Sequence, residues 1–107
     1  MREIKNEKIR EAVKNTAAEF LGGMSNRTSL ITVTNVVLSG RADRAVVLIT
    51  VFPETAEKAA IEFTKRNVGE LRELLSKRLL IHHLPFITFA IDVGEKSRQK
   101  LDTLSSS

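Results

Sequence analysis

Five basic residues surround a glycine inside a predicted helix, and their charge and spacing suit the binding of phosphate. Apolar residues recur at helical spacing from 53 to about 81, which predicts a long helix. Gly69 lies within it, where glycine costs about 1 kcal/mol relative to alanine. The basic residues near this glycine are Lys65, Arg66, Arg72, Lys77 and Arg78. Because the N-terminus of a helix and positive charge both attract anions, this segment predicts a site for a phosphate backbone.

The length of this helix predicts a bend. A straight helix of that span would be roughly 40 Å long, whereas a compact domain of this size has a radius of gyration of about 13 Å. Asn67 and Gly69 tolerate non-helical backbone better than most residues and mark the weak point. We therefore expect two helical segments to meet at 67–69, with a positive φ at Gly69, so that the basic side chains converge there.

Two further pairs of basic residues lie outside the long helix. Arg41 and Arg44 flank a predicted hairpin turn, and Lys5 and Lys8 open the first helix. These side chains are placed to contact phosphates, but charged hairpin tips and solvated helix faces explain them equally well. Within the long helix, pairing of the cations with nearby glutamates is the alternative to phosphate binding, and such pairs contribute little.

No constellation of residues predicts catalysis or a metal site. His82 and His83 have no carboxylate beside them in sequence, and histidines at a helix end can simply cap carbonyl groups. The chain lacks cysteine, Walker and Rossmann glycine motifs, and a nucleophile with a plausible base. Its only aromatic residues are five phenylalanines, mostly assignable to the core, which supplies base stacking poorly. We expect a protein that is not an enzyme and that needs no cofactor.

Composition predicts one soluble domain. The 107 residues are 42% apolar and carry a net charge of +4, enough for a packed core and a moderately basic surface. No apolar run approaches the roughly 20 residues of a membrane span, and no secretory signal is visible. We expect a cytoplasmic protein without membrane contact, with a single domain at 1–104 and a disordered end at 105–107.

The pattern of apolar residues predicts an α+β domain. The expected order is a helix at 3–21, strands at 30–38 and 45–52, the bent helix, a strand at 86–91 and a short helix at 94–104. The first two strands form a hairpin, and the third can add alongside the first. A sheet of three strands needs the helices on one face to close a core.

The first strand predicts a β-bulge and the second an unusual surface. Ile31 and Val33 fall on one face of a regular strand and Val36 falls on the other. One extra residue at 34–35 would let all three side chains face the core. The second strand is apolar on both faces. Burial on both sides explains this pattern, as does an exposed apolar patch that contacts RNA, protein or a second copy of the chain.

The segment GELRELLSKRLLIHHLPFITF, from 69 to 89, resembles the bacterial ribosome-binding factor A family. That family shows a glycine, a basic residue three positions on, a leucine-rich turn, a lysine and a Leu-Pro-x-Leu-Thr-Phe strand entry. The matching positions here are Gly69, Arg72, Leu74-Leu75, Lys77 and 84–89. The resemblance implies a KH-like fold of the bacterial type (type II-like), with a helix-kink-helix in place of the GxxG loop.

The same resemblance implies a function in ribosome biogenesis. A protein of this family binds the small ribosomal subunit and its rRNA, assists late rRNA processing and maturation, contributes to cold adaptation, and is expected to be a monomer when free. The candidate RNA-binding residues are Lys5, Lys8, Arg41, Arg44, Lys65, Arg66, Asn67, Gly69, Arg72, Lys77 and Arg78. The alternatives are a generic KH-like RNA-binding protein and a homodimeric interaction module that uses the apolar sheet face.

Overall fold

The elements of the fold follow the predicted order. The structure, a computed structural model, describes residues 2–24, 30–79, 81 and 83–106. Its helices and strands are α1 (Arg2–Met24), β1 (Leu30–Leu38), β2 (Arg44–Phe52), α2 (Glu57–Arg78), β3 (Phe86–Ile91) and α3 (Val93–Ser106). A cis peptide bond joins Phe52 to Pro53, and a 3-10 turn at Glu54–Ala56 leads into α2.

The three strands form one sheet in the order β1-β2-β3. β1 and β2 pair antiparallel as the predicted hairpin, and β3 pairs parallel to β2. The expectation that the third strand lies beside the first is therefore wrong. The physical reason lies in β2, which is apolar on both faces and so suits the centre of the sheet, whereas a place for β3 beside β1 would have left β2 at an edge.

The predicted β-bulge in β1 is confirmed. Val33 pairs with Ile49 and Asn35 pairs with Leu48, so Thr34 is the extra residue on its strand. Ile31 before the bulge and Val36 after it are both buried in the core. The bulge thus restores the phase of the strand, as the slip in its alternation indicated.

α1 and α2 pack on one face of the sheet and close the core. Side chains at helical spacing point inward from both helices and meet one face of the three strands. The buried residues are Ile9, Val13, Thr16, Ala17 and Leu21 from α1, Ala60, Thr64, Leu71 and Leu75 from α2, and Ile31, Val36, Ala45, Val47, Ile49, Val51, Ile87 and Phe89 from the core-facing side of the sheet. The opposite side of the sheet, called the outer face below, carries the other strand residues.

The break predicted at 67–69 is absent, because α2 continues as one α-helix through Gly69. No glycine among the described residues has a positive φ. The length argument failed for two reasons. The helix is shorter than expected, 22 residues or about 33 Å, and the molecule is elongated, with extents of 48 × 28 × 17 Å. A straight helix of this length fits along the long axis.

α3 follows β3 after a single residue, Asp92, which caps it. The backbone N–H of Glu95 donates to Oδ1 of Asp92 at 3.0 Å, as at a helix N-cap. The helix reaches Ser106 and so includes two of the three residues expected to be disordered; residue 107 lies outside the described residues. None of the described helices is long and apolar enough to cross a membrane.

Candidate nucleic-acid interface

Four of the candidate residues lie on the exposed side of α2. Lys65, Arg66, Gly69 and Lys77 are all exposed. Among the ion pairs of the described residues, none involves the three cations. Their charges are therefore not neutralised by a described neighbour. We call this set the α2 outer face.

Helical geometry places Gly69 between the cations of the α2 outer face. At about 100° per residue, Lys65 lies some 40° to one side of Gly69. Arg66 and Lys77 lie about 60° and 80° to the other side by the same count. A Cβ added at Gly69 would meet no atom within 4 Å. Gly69 therefore leaves the backbone bare between the side chains, and an approaching phosphate would meet little steric hindrance there.

Glutamates share this side of the helix and limit its charge. Glu62, Glu70 and Glu73 are also exposed and form none of the ion pairs among the described residues. The positive character of α2 is therefore confined to particular positions rather than spread along the helix. A partner that reads shape and phosphate position suits such a surface better than one attracted by charge alone.

Arg72 has a structural contact that the sequence did not indicate. Its Nη1 donates to the carbonyl oxygen of Pro85 at 2.6 Å, and the arginine is half-buried. Pro85 is itself fully buried and directly precedes β3. Arg72 therefore fixes the chain at the entry to β3.

Arg78 and Asn67 are likewise engaged by other groups of the chain, Arg78 at the surface and Asn67 half-buried. Nη2 of Arg78 lies 2.6 Å from Oε2 of Glu19, and its Nη1 donates to Thr16 Oγ1 at 3.4 Å. This arginine joins the end of α2 to α1. Nδ2 of Asn67 donates to the carbonyl oxygen of Phe63 at 2.8 Å, one turn earlier in the same helix. Neither side chain lies with the α2 outer face.

Three hydrogen bonds bring a second group of candidates to one end of the domain. Asn6 Nδ2 donates to Gly40 O at 3.1 Å, which ties the start of α1 to the hairpin turn. The N–H of Phe86 donates to Asp43 O at 2.8 Å, which ties the start of β3 to the same turn. The Arg72 contact with Pro85 adds α2. We call this region the hairpin end.

The hairpin end carries exposed cations. Arg41, Arg44 and Lys8 are exposed, and Asp43 is the acidic residue of the turn. The Ser39 hydroxyl oxygen accepts hydrogen bonds from the N–H groups of Asp43 and Arg44 at 3.0 and 3.1 Å, which fixes the backbone of the turn. The side chain of Lys5 lies outside the described part of the chain. Apart from Arg78, the predicted cations whose side chains are described thus form two groups, on the α2 outer face and at the hairpin end.

Only one of the two adjacent histidines belongs to the described residues. His83 is exposed, and His82 lies outside the described residues. Within the described ranges there is no group of three or more histidine, aspartate and glutamate side chains that could hold a metal ion.

Sequence reasoning missed an ion-pair cluster that holds α3. Lys96 Nζ lies 2.9 Å from Glu57 Oε2 and 3.7 Å from Glu54 Oε2, and Lys100 Nζ lies 2.9 Å from Glu54 Oε1. The hydrogen bond from Lys100 lowers the pKa of Glu54, and the hydrogen bond to Glu57 raises the pKa of Lys96. Beside this cluster lies an open pocket of about 600 Å³, walled also by Leu30 and Phe52. The spacing of the two lysines, one helical turn apart, was the available signal.

Two phenylalanines of the sheet are exposed. Phe86 and Phe52 are 64% and 75% exposed, at opposite ends of the outer face of the sheet. The alternation of β3 turns Phe86 away from the core-facing Ile87 and Phe89, and Phe52 belongs to the apolar face that the sequence predicted, although most of the phenylalanines were assigned to the core. The surface therefore offers aromatic rings as well as cations.

The sequence matches a family model, and the fold matches solved structures. The family model described as ribosome-binding factor A matches residues 3–105. The crystal structure of ribosome-binding factor A from Thermus thermophilus superposes with a TM-score of 0.68 at 24% identity, covering 79% of this chain and 93% of that chain. No curated protein matches the sequence.

A second structure similar to this chain is a homology model of the Thermus thermophilus ribosome-binding factor A, fitted into a cryo-EM map of its complex with the 30S subunit. It superposes with a TM-score of 0.64 at 26% identity and covers 74% of this chain and 86% of that chain.

Proposed function

Because this chain belongs to the ribosome-binding factor A family, we propose that it binds the small ribosomal subunit and its rRNA and assists late rRNA processing. It acts as a binding factor and not as an enzyme. Its place of action is the cytoplasm, where it is a monomer when free. The 30S complex of the Thermus thermophilus relative supports the choice of subunit.

The observation that carries this proposal is the α2 outer face. Lys65, Arg66 and Lys77 are exposed, lie outside the ion pairs of the described residues, and flank the bare backbone at Gly69. Such cations bind phosphate by releasing its counterions, which makes affinity fall steeply with salt. The cations of the hairpin end, Arg41 and Arg44, supply a second set of phosphate contacts.

Co-sedimentation with purified ribosomal subunits tests the proposal. The protein is expected to pellet with small subunits and not with large subunits, and the bound fraction should fall between about 50 and 200 mM salt. Equal pelleting with both subunits would instead indicate a generic RNA-binding protein. Binding that ignores salt would contradict phosphate contacts as its basis.

A maturation role has its own test, separate from binding. Cells that lack the protein should accumulate incompletely processed small-subunit rRNA, and the defect should grow at low temperature if the protein serves cold adaptation. Complementation by the wild-type chain, but not by a variant with Lys65, Arg66 and Lys77 changed to glutamate, would connect the α2 outer face to processing. Normal processing without the protein would contradict this role.

A further inference from the structure

An exposed aromatic ring and an exposed guanidinium lie side by side on the outer face of the sheet. Arg44 and Phe86 are register partners in the parallel pair of β2 and β3, so their side chains project from the same face. Adjacent strands are about 4.8 Å apart. Phe86 is 64% exposed, Arg44 is exposed, and no ion pair of the described residues involves Arg44.

The backbone beneath both side chains is held in place. The N–H of Phe86 donates to Asp43 O at 2.8 Å, and the preceding Pro85 is buried and accepts the hydrogen bond from Arg72. Arg44 donates from its N–H to the Ser39 hydroxyl oxygen and accepts at its carbonyl from the Ser39 N–H at 2.9 Å. Ordering of the backbone on binding would therefore cost little, which favours recognition.

We propose that Phe86 and Arg44 form a binding site for one unpaired nucleotide of RNA. The base stacks on the phenylalanine ring, and the guanidinium binds the adjacent phosphate. This combination of an aromatic platform and a cation is what sequence-tolerant binding of single strands requires. The inference rests on the proposed function and deepens it, since it adds unpaired RNA to the phosphate contacts of α2.

Charge favours RNA over a second copy of the chain as the occupant. Arg41 and Arg44 flank this part of the sheet against the single carboxylate of Asp43. Two such patches would repel each other in a symmetric dimer, whereas a phosphodiester complements them. Phe52, the other exposed ring of the outer face, pairs in register with Leu30 and has no cation as a register partner. Phe52 lies beside the pocket of Lys96 and Lys100, and both lysines are engaged in ion pairs with Glu54 and Glu57. It therefore serves as a control for an exposed ring without a cation as its register partner.

The test uses an unstructured RNA octamer with a central 2-aminopurine, whose fluorescence is quenched on stacking, and a blunt duplex of the same length. Wild-type protein should bind the octamer and quench it. Phe86→Ala should bind at least about 5-fold more weakly with the quenching lost. Phe86→Tyr should keep both, and Phe52→Ala should leave both unchanged. Arg44→Gln should reduce the slope of log affinity against log salt by about one.

Three results would overturn the site. The first is that Phe86→Ala binds and quenches the octamer like wild type, and the second is that Phe52→Ala weakens binding as much as Phe86→Ala does. The third is that the protein forms a dimer that depends on Phe86 and does not bind the octamer. Melting curves of each variant establish that folding is intact, as the exposure of both rings predicts. The proposed function is judged separately by co-sedimentation. If the wild-type protein pellets with small subunits and Phe86→Ala binds the octamer as tightly as wild type, the nucleotide site is wrong and the proposed function stands. If the wild-type protein quenches the octamer but does not pellet with small subunits, the nucleotide site stands and the assignment to the small subunit is wrong.

Discussion

The hydroxyl of Thr34 donates a 2.6 Å hydrogen bond to Oδ2 of Asp92, a residue 58 positions later in the sequence. Thr34 is the bulged residue of β1, and Asp92 is the N-cap of α3. Asp92 also donates from its N–H to Ile49 O at 2.8 Å. One residue therefore joins all three strands to the last helix, and the bulge has a role beyond restoring the phase of its strand.

Thr34→Val should destabilise the protein by about 1 kcal/mol, because it removes the hydroxyl and keeps the shape of the side chain. Thr88→Val is the matched control, since Thr88 is an exposed threonine of the sheet without a hydrogen bond of this kind. Chemical denaturation of both variants measures the difference. Equal stability of the two would show that the Thr34–Asp92 bond contributes nothing.

The effect of Thr34→Val should depend on pH. The hydrogen bond from Thr34 is the main cause that holds the pKa of Asp92 below its ordinary value of 3.8. A carboxyl group whose pKa is lower in the folded than in the unfolded protein stabilises the fold at pH values above its unfolded-state pKa. This stabilisation is lost as the pH falls through the folded-state pKa. The gap in melting temperature between wild type and Thr34→Val should be constant above about pH 5 and shrink below about pH 4. A gap independent of pH would contradict this assignment.

Gly69→Ala should stabilise the protein by up to about 1 kcal/mol. Gly69 lies in a continuous helix, its φ is not positive, and a Cβ there meets nothing within 4 Å. Gly22→Ala, equally free of contacts in α1, is the control and should stabilise less, because it lies near the fraying end of its helix. A lower melting temperature for Gly69→Ala would show that the helix breaks at this residue in solution.

Reversal of charge should separate the two kinds of cation on α2. Lys77→Glu should change the free energy of unfolding by less than about 0.5 kcal/mol and weaken binding to small subunits. Arg72→Glu should cost roughly 1 to 3 kcal/mol, because it removes the donor to the buried Pro85. Lys58→Glu, an exposed change of the same charge in the first turn of α2, is the control for net charge. Equal loss of binding for Lys58→Glu and Lys77→Glu would contradict a localised site.

Glu54→Gln should loosen α3. The substitution keeps the size of the side chain and removes the charge that attracts Lys96 and Lys100. Amide hydrogen exchange over α3 should accelerate in the variant, and the difference should narrow at high salt, where such pairs are screened. Glu62→Gln is the control, since Glu62 forms none of the ion pairs of the described residues. Unchanged exchange in Glu54→Gln would show that the charge of Glu54 does not hold the helix, and would leave Asp92 and the Lys96–Glu57 ion pair as its attachments.

Local patterns explain which parts of the fold were predictable. The bulge at Thr34 was visible because alternation with a period of two records every change of face. The helices and strands were visible because apolar residues recur with a period of about 3.6 in a helix and two in a strand. The pairing of β3 with β2 had a signal in the sequence, since β2 is apolar on both faces, but that signal was not applied to the order of the strands. The unbroken α2 depended on global geometry, which a general argument about compact domains represented wrongly. Whether α2 bends was decided by the elongated shape of the molecule, which accommodates a straight helix, and not by the residues at 67–69.

The candidate site was predictable only as a set of charges. The sequence identifies Lys65, Arg66 and Lys77 as basic, and the structure places them on an exposed side of one helix. It identifies Arg72 and Arg78 equally well, yet their partners Pro85 and Glu19 are distant in sequence, so their structural contacts were invisible. A cation near others in sequence can bind a ligand or hold the fold, and only tertiary contacts tell the two apart.

The extra residue in β1 makes the length of this strand a fixed quantity. Removal of Thr34 by deletion would leave the chain with a choice between two registers, one that keeps Ile31 in the core and one that keeps Val36 there. Either choice turns half of the strand inside out, whereas a substitution at the same place costs only a hydrogen bond. Position 34 therefore tolerates changes of residue far better than changes of chain length.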